Sequence, residues 1–286
     1  MVYRSPHNVS ELEISAKEIF GNDNVSVDKA DRVFYSSDLY ETGEIATLVI
    51  APQSTNEVSK LVDFAAEADL TIFVRGGGRS YSNAFLPDRT PSIILDTRRL
   101  NRIRLIDPEN LIVTVECGCT WQDLDNALQA HNLRSVFWGP ASGAAATIGG
   151  SMSQGTANNQ SGIIETSSNA VLSYEIVTGT GDVLVTGMNA QTNRFAHFRP
   201  YGPDLTALFN ADAGALGIKT SITLKLEPRP KFEGGVSFAF NDFEQLISAL
   251  HIAGREGIAS AIVAMDSETA GIRSGPKGLK LSLIHI

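Results

Sequence analysis

Apolar residues along the chain follow two rhythms: short continuous runs, and stripes at helical spacing. Residues 47–51 form a run of the first kind, and Ser54 and Glu57 after it make a capping box. Val58, Leu61, Val62, Ala65 and Ala68 then recur at helical spacing, which predicts an amphipathic helix. Further strands are expected at 71–74, 92–96 and 111–116. A second helix starts at Thr120, with Trp121, Leu124 and Leu128 on one face. Residues 139–162 are rich in Gly, Ala, Ser and Asn and carry no apolar period. That is too long for an ordinary connection, so the stretch reads as a functional loop anchored by Ile148 and Met152. Strands return at 173–178, 183–186 and 220–226. Pro228 and Pro230 then interrupt regular structure and mark a boundary. Beyond them a strand at 236–240, a helix at 243–253 capped by Asn241 or Asp242, and a strand at 259–265 open a second α+β unit. It reads as incomplete, ending in the apolar run Leu-Lys-Leu-Ser-Leu-Ile-His-Ile. The abruptness of residues 280–286 raises the question of whether they belong to the natural protein.

Composition narrows the class. The 286 residues are 43% hydrophobic and 19% charged, as in a folded globular protein. The net charge of −9 argues against a nucleic-acid backbone or an anionic membrane as partner. No run approaches the ~18 apolar residues of a membrane span, and the N-terminus lacks a signal-peptide core. Cys117 and Cys119 sit two apart in a strand-like run, where a bridge between them would be strained, and neither has the Cys or His neighbours that a metal site needs. They read as two semi-buried thiols in a reducing, cytoplasmic setting, which makes the Asn-x-Ser triplets at Asn8, Asn24 and Asn159 chance matches.

The loop Arg75-Gly76-Gly77-Gly78-Arg79-Ser80 directly follows an apolar strand. Three consecutive glycines are entropically costly and usually meet a steric demand. They let backbone N–H groups converge on an anion, while Arg75, Arg79 and the Ser80 hydroxyl add charge and a donor. A Rossmann loop demands a helix at once, and Pro87 and Pro91 stand against one. A Walker loop requires Gly-Lys-Ser/Thr, which is absent. Anion binding and a mere tight turn both remain open for the loop taken alone. The small residues of Gly139-Pro140-Ala141-Ser142-Gly143 and Thr147-Ile148-Gly149-Gly150 favour a ligand with a long polar spine over a plain surface loop.

Over residues 45–228 these features resemble, in order, the FAD-binding oxidases and dehydrogenases of the vanillyl-alcohol oxidase and p-cresol methylhydroxylase type. Arg75 to Tyr81 looks like that family's pyrophosphate loop. The passages 92–103 and 113–124 resemble its next strands and turns, and Pro140, Ser142, Thr147, Gly149 and Gly150 resemble its second flavin-contacting stretch. Asp212 to Thr220 is similar to its closing motif, with backbone at Gly217 and Ile218 near the adenine. The wording Arg-Gly-Gly-Gly-x-Ser-Tyr, with Tyr201 to Thr206, looks closest to the glycolate oxidase and D-lactate dehydrogenase branch.

The resemblance implies an α+β fold: an N-terminal extension (1–44), a PCMH-type FAD-binding domain of two α+β subdomains (45–228), and an incomplete α+β substrate or cap domain (229–286). It implies an oxidoreductase moving hydride from a substrate alcohol carbon, of a 2-hydroxy acid, to flavin N5. A small-molecule substrate and an electron acceptor that the residues do not specify would be its partners. The alternative is a fragment that binds FAD without turnover. An enolpyruvyl-sugar reductase shares the fold but would need a Ser or Cys and a Glu in its own C-terminal domain, and no such match is visible. Members with tethered flavin carry histidine where this chain has Arg79, or cysteine in the second stretch, where residues 139–162 have none, so FAD is expected to be non-covalent. Asn158 to Glu165 departs from the family in lacking its Tyr-Gly. No catalytic residue is assigned; among the five histidines only His197, near Tyr201, invites a site hypothesis.

Overall fold

A computed structural model describes residues 9–157, 166–192, 199, 202–257, 259–266 and 282–285, with backbone alone at 191–192 and 282–285. His197, Tyr201, Asn159 and the stretch from Asn158 to Glu165 lie outside the described residues. The strands are β1 (Val25–Ser26), β2 (Leu48–Ile50), β3 (Thr71–Arg75), β4 (Ser92–Asp96), β5 (Ile103–Asp107), β6 (Ile112–Glu116), β7 (Leu133–Ser135), β8 (Val171–Val177), β9 (Val183–Val185), β10 (Ile218–Pro228), β11 (Gly235–Phe238), β12 (Ala261–Val263) and β13 (Ser282–His285). The helices are α1 (Val9–Phe20), α2 (Lys29–Tyr35), α3 (Thr55–Glu67), α4 (Trp121–Gln129), α5 (Ile148–Ser153), α6 (Asn189–Thr192), α7 (Leu205–Leu208) and α8 (Phe243–Glu256).

These elements build three sheets. The first has the order β1-β2-β4-β3; β2, β4 and β3 run parallel and β1 pairs antiparallel with β2. Its strands are continuous apolar runs, as expected where helices cover a parallel sheet, and every residue of β2 and β4 is buried. The second sheet is antiparallel, in the order β5-β6-β10-β8-β9, with β7 on the far part of β10. One continuous core, including Leu48, Leu61, Ile93, Val113, Leu124, Tyr174 and Ile222, joins the two. The third sheet, β11-β13-β12, stands with α8 as a separate α+β unit.

Local chemistry explains the boundaries. Ser54 caps α3 by accepting the Glu57 amide at 3.2 Å, while the Glu57 carboxylate reaches back one residue further than in an ideal box and accepts the Gln53 amide. Thr120 caps α4 through the Asp123 amide, and Asp242, not Asn241, caps α8 through Gln245. Helix α4 buries Trp121, Leu124 and Leu128, the three positions its spacing singled out.

Three features depart from the pattern-based reading. Residues 9–44 contribute α1, β1 and α2, with β1 paired onto the first sheet, so the segment set apart as an extension packs into the first layer. The stretch 139–162 is not one loop, because Thr147 accepts the Gly150 amide and starts α5, which buries Ile148 and Met152. Six residues are too few for a helical stripe to show in sequence. Lastly, Cys117 and Cys119 fall beyond the end of β6, in the turn around Gly118, so the two-residue repeat of a strand does not apply to them. Both are free thiols and fully buried.

Candidate active site and cofactor cleft

Strand β3 ends at Arg75, and the chain turns at once into the glycines. Gly76 and Gly77 lie against residues 145–147 of the second stretch. A Cβ on Gly76 would stand 2.3 Å from Thr147 Oγ1, and one on Gly77 would stand 1.9 Å from the Ala145 carbonyl oxygen. The glycines therefore permit a close approach of two backbone segments, a demand that exists before any ligand is considered. Gly149 and Gly217 act alike, facing Cys117 Cβ at 2.6 Å and Ile176 Cγ2 at 2.5 Å.

Between these segments and residues 213–219 lies a cavity of about 520 Å³, within the ~300–1,000 Å³ of small-molecule and cofactor sites. Twelve of the fourteen residues singled out in the sequence line it: Gly76, Gly77, Gly78, Arg79, Ser80 and Tyr81 from the first loop, Pro140, Ser142, Thr147, Gly149 and Gly150 from the second stretch, and Gly217. The amides of Gly77, Gly78 and Arg79 donate to no acceptor among the described residues. A wall of small residues with unpaired backbone donors suits the diphosphate of a dinucleotide. Arg79 is exposed at the mouth and pairs with no described carboxylate. Ser80 and Ser82 both reach Gln154 Oε1, at 3.3 and 2.8 Å, which ties the first loop to the end of α5.

Two of the fourteen residues stand elsewhere. Ile218 is buried in the core opposite Val177, and Arg75 lies behind the loop. Only 5% of Arg75 is exposed.

A family model described as FAD binding domain matches residues 46–187, which carry most of the cavity wall. Residues 46–187 thus form a domain of this FAD-binding family. Glycolate oxidase subunit GlcD of Bacillus subtilis is 29% identical over 217 residues, covering 75% of this chain and 44% of that protein. D-lactate dehydrogenase [cytochrome] 1, mitochondrial, of Saccharomyces cerevisiae is 25% identical over 262 residues, 88% of this chain and 43% of that protein. The chain thus spans under half the length of either relative. A crystal structure of p-cresol methylhydroxylase with substrate bound superposes with a TM-score of 0.78 at 19% identity, over 97% of this chain and 60% of that one. The fold is therefore PCMH-type and the cofactor of the matched domain is FAD.

Several residues on the cavity were given no role by the sequence. Lys219 reaches it from β10 with its side chain 2% exposed, and donates to Asp212 Oδ1 at 2.6 Å and Ser153 Oγ at 3.0 Å. Burial pulls its ammonium below the usual lysine range, despite the Asp212 carboxylate that favours the charged form. Asp212 Oδ2 is buried without a partner among the described residues. The surrounding backbone is strained, with Ala211 and Ala213 at φ of +53° and +54°, a conformation that costs about 1–2 kcal/mol for a residue with a Cβ. Amides of these two alanines donate to the Met152 and Ser153 carbonyls, so the strained turn is pinned to α5. Trp121 Nε1 donates to Ser151 Oγ at 2.8 Å and joins α4 to the same helix. Cys117 also lines the cavity, and burial pushes its thiol up to about 12. It is a closed, unreactive wall residue rather than a nucleophile. Both Lys219 and Asp212 fall within the closing motif of residues 212–220, but their pairing, between a strand residue and a turn residue seven positions upstream, shows only in the fold.

Among the described residues no group of three His, Cys, Asp or Glu could hold a metal ion, and no helix is long and apolar enough to cross a membrane.

Proposed function

We propose that the cavity holds FAD without a covalent tether and that the protein serves the oxidation of a small 2-hydroxy acid. The observation that carries this reading is the wall of Gly77, Gly78 and Arg79 amides, left without acceptors among the described residues and facing a cavity closed on its other side by the 140–157 stretch. In this reading the first loop takes the diphosphate, with Ser80 and Tyr81 beside it. Pro140, Ser142, Thr147, Gly149 and Gly150 follow the cofactor's length, and the backbone at Gly217 and Ile218 approaches the adenine. Arg79 adds a cation at the mouth; among the described residues no histidine lines the cavity, and Cys117, which does, is kept a neutral thiol by burial. When bound, FAD supplies a hydride acceptor for a carbon whose hydroxyl proton leaves to a base. The chain's own part is to orient that cofactor and keep its diphosphate on fixed donors. Support for a 2-hydroxy acid comes from the glycolate- and D-lactate-oxidising relatives. Residues 45–228 would form the FAD-binding domain and 229–286 the start of the substrate domain.

A second reading, FAD binding without turnover, is favoured by one observation. None of the described residues between 229 and 266 lines the cavity, and α8 buries no side chain. One experiment separates the two. The protein is loaded with FAD, freed of excess, and mixed anaerobically with D-lactate or glycolate. Loss of the flavin band near about 450 nm supports oxidation, and an unchanged band with every hydroxy acid supports binding alone. Acid precipitation of the same sample should leave colourless protein. A yellow pellet after washing overturns the non-covalent assignment.

A further inference from the structure

Arg75 is a buried cation that forms no ion pair among the described residues. Its residue is 5% exposed, and its Nε is buried with no partner among the described residues. The nearest carboxylate, Asp96, is committed elsewhere: it accepts Arg98 Nε and Nη2 at 2.9–3.2 Å and the Tyr35 hydroxyl at 3.2 Å. Burial first, and the neighbouring Arg98 second, lower the Arg75 pKa from its ordinary value, and the Asp96 carboxylate offsets this only in part. In place of a carboxylate, three rings surround the guanidinium, with Phe34, Tyr35 and Phe85 centroids at 5.2, 5.1 and 5.2 Å. Cation–π contacts of this kind contribute about 0.5–2 kcal/mol each, which does not replace an ion pair for a buried charge.

The place of this cation gives it meaning. Gly78 adopts φ +63°, and a Cβ there would stand 2.3 Å from Arg75 Nη2. The turn that presents the unpaired amides is thus folded directly onto the guanidinium. Thr97, which lines the cavity, also holds this strand end by donating its hydroxyl to the Arg75 carbonyl at 3.3 Å. Phe34 and Tyr35, two of the three rings, come from α2, which lies before the matched FAD domain.

We infer that Arg75 is a positioning residue that acts from behind the glycine loop, and that its aromatic cage couples occupancy of the loop by a diphosphate to the docking of α2. The inference rests on the FAD reading above. A diphosphate on the Gly77–Arg79 amides supplies the counter-charge that Arg75 lacks. Arg75, so stabilised, holds Phe34 and Tyr35 in place. Coupling of this kind is reciprocal, so loosening the cage must weaken the diphosphate.

The test measures FAD affinity by flavin fluorescence, and ADP affinity by calorimetry, since ADP carries the diphosphate without the flavin. Arg75→Met should weaken both ligands about tenfold or more, and Arg75→Lys should recover most of the loss. Phe34→Leu, at a ring 60% exposed and so tolerant of change, should weaken both about threefold, and this effect should vanish in the Arg75→Met background. Amide exchange over residues 29–36 should slow when ADP is added to the wild type but not to Arg75→Met. Wild-type protein that binds FAD, with Phe34→Leu and Arg75→Met both within twofold of it, overturns the inference and leaves the FAD reading standing. Should Arg75→Met not fold, Phe34→Leu and the exchange data decide alone. Wild-type protein that binds neither ligand overturns the FAD reading and this inference with it.

Discussion

Replacing Gly77 with alanine asks whether the glycine loop is demanded by the protein or by its ligand. The added Cβ would lie 1.9 Å from the Ala145 carbonyl oxygen, 2.9 Å from its carbon and 3.3 Å from Ala146 Cα. All three are backbone atoms, so no rotamer change relieves the contact. To regain ordinary van der Waals distance the two segments must part by about 1.5 Å. Overpacking of this kind costs about 1–3 kcal/mol, and a rigid obstacle puts Gly77 at the upper end. For a chain of this size that corresponds to a melting point lower by about 6–12 °C. The assay is thermal unfolding of FAD-free protein, paired with FAD titration. Gly150→Ala is the matched control: its Cβ would meet only the Thr147 side-chain oxygen at 3.1 Å, and the gain in helix propensity offsets part of that contact. If FAD-free Gly77→Ala melts within about 2 °C of wild type while FAD affinity collapses, the close approach of the segments is not why the glycine is there, and the reasoning fails.

Two further outcomes follow from buried charge. Lys219→Met leaves the Asp212 carboxylate buried, with neither oxygen ion-paired to the ammonium. It should cost about 3–5 kcal/mol in urea unfolding, partly recovered by adding Asp212→Asn. Since burial lowers the Lys219 pKa in the folded protein, the unfolded chain binds that proton more tightly. Its contribution to stability therefore rises with pH between the folded pKa and 10.5, and that slope should be missing from Lys219→Met. The thiols act oppositely. Both are raised from 9.0 to about 12, so their contribution is complete below pH 9 and is lost as pH climbs toward 12. Each thiol removes up to about 1.4 kcal/mol per pH unit, and two outweigh one lysine, so net stability falls above pH 9. Unfolding midpoints between about pH 8.5 and 11 should show a shallower fall in Cys117→Ala, and an equal slope would refute the assignment.

The layered α+β architecture was legible because its signals are local. The apolar run of β4 and the helical stripe of α3 each need only neighbours in sequence to be read, and the Ser54–Glu57 box punctuates them. The small-residue wall was legible for the same reason, since glycines clustered after a strand carry their steric meaning with them. What could not be read depends on distant partners. Strand β5 carries Arg104 between Ile103 and Leu105 and so shows no apolar run; it pairs antiparallel with β6, whose fully buried Glu116 takes Arg102 at 2.7 Å and Arg104 at 3.3 Å. Helix α5 is too short to show a period, and its buried apolar side chains, Ile148 and Met152, acquire meaning only against the core.

The arginines of the glycine loop show how far a motif can be taken as chemistry. In sequence Arg75 and Arg79 are symmetric, each flanking three glycines, and both read as charges for the same anion. The fold breaks the symmetry. Strand β3 is parallel to β4 through Arg75, which faces Asp96 in register, so the Arg75 side chain is carried inward with the strand. Three residues later the positive φ of Gly78 has turned the chain, and Arg79 emerges into solvent at the cavity mouth. One cation can then meet an anion directly, with charge screened by water. The other acts from a buried position, where a charge is felt most strongly and is most costly to leave unbalanced. A glycine-rich loop between two arginines thus separates two electrostatic roles by one turn of backbone, and which arginine takes which role is decided by the strand that precedes the loop.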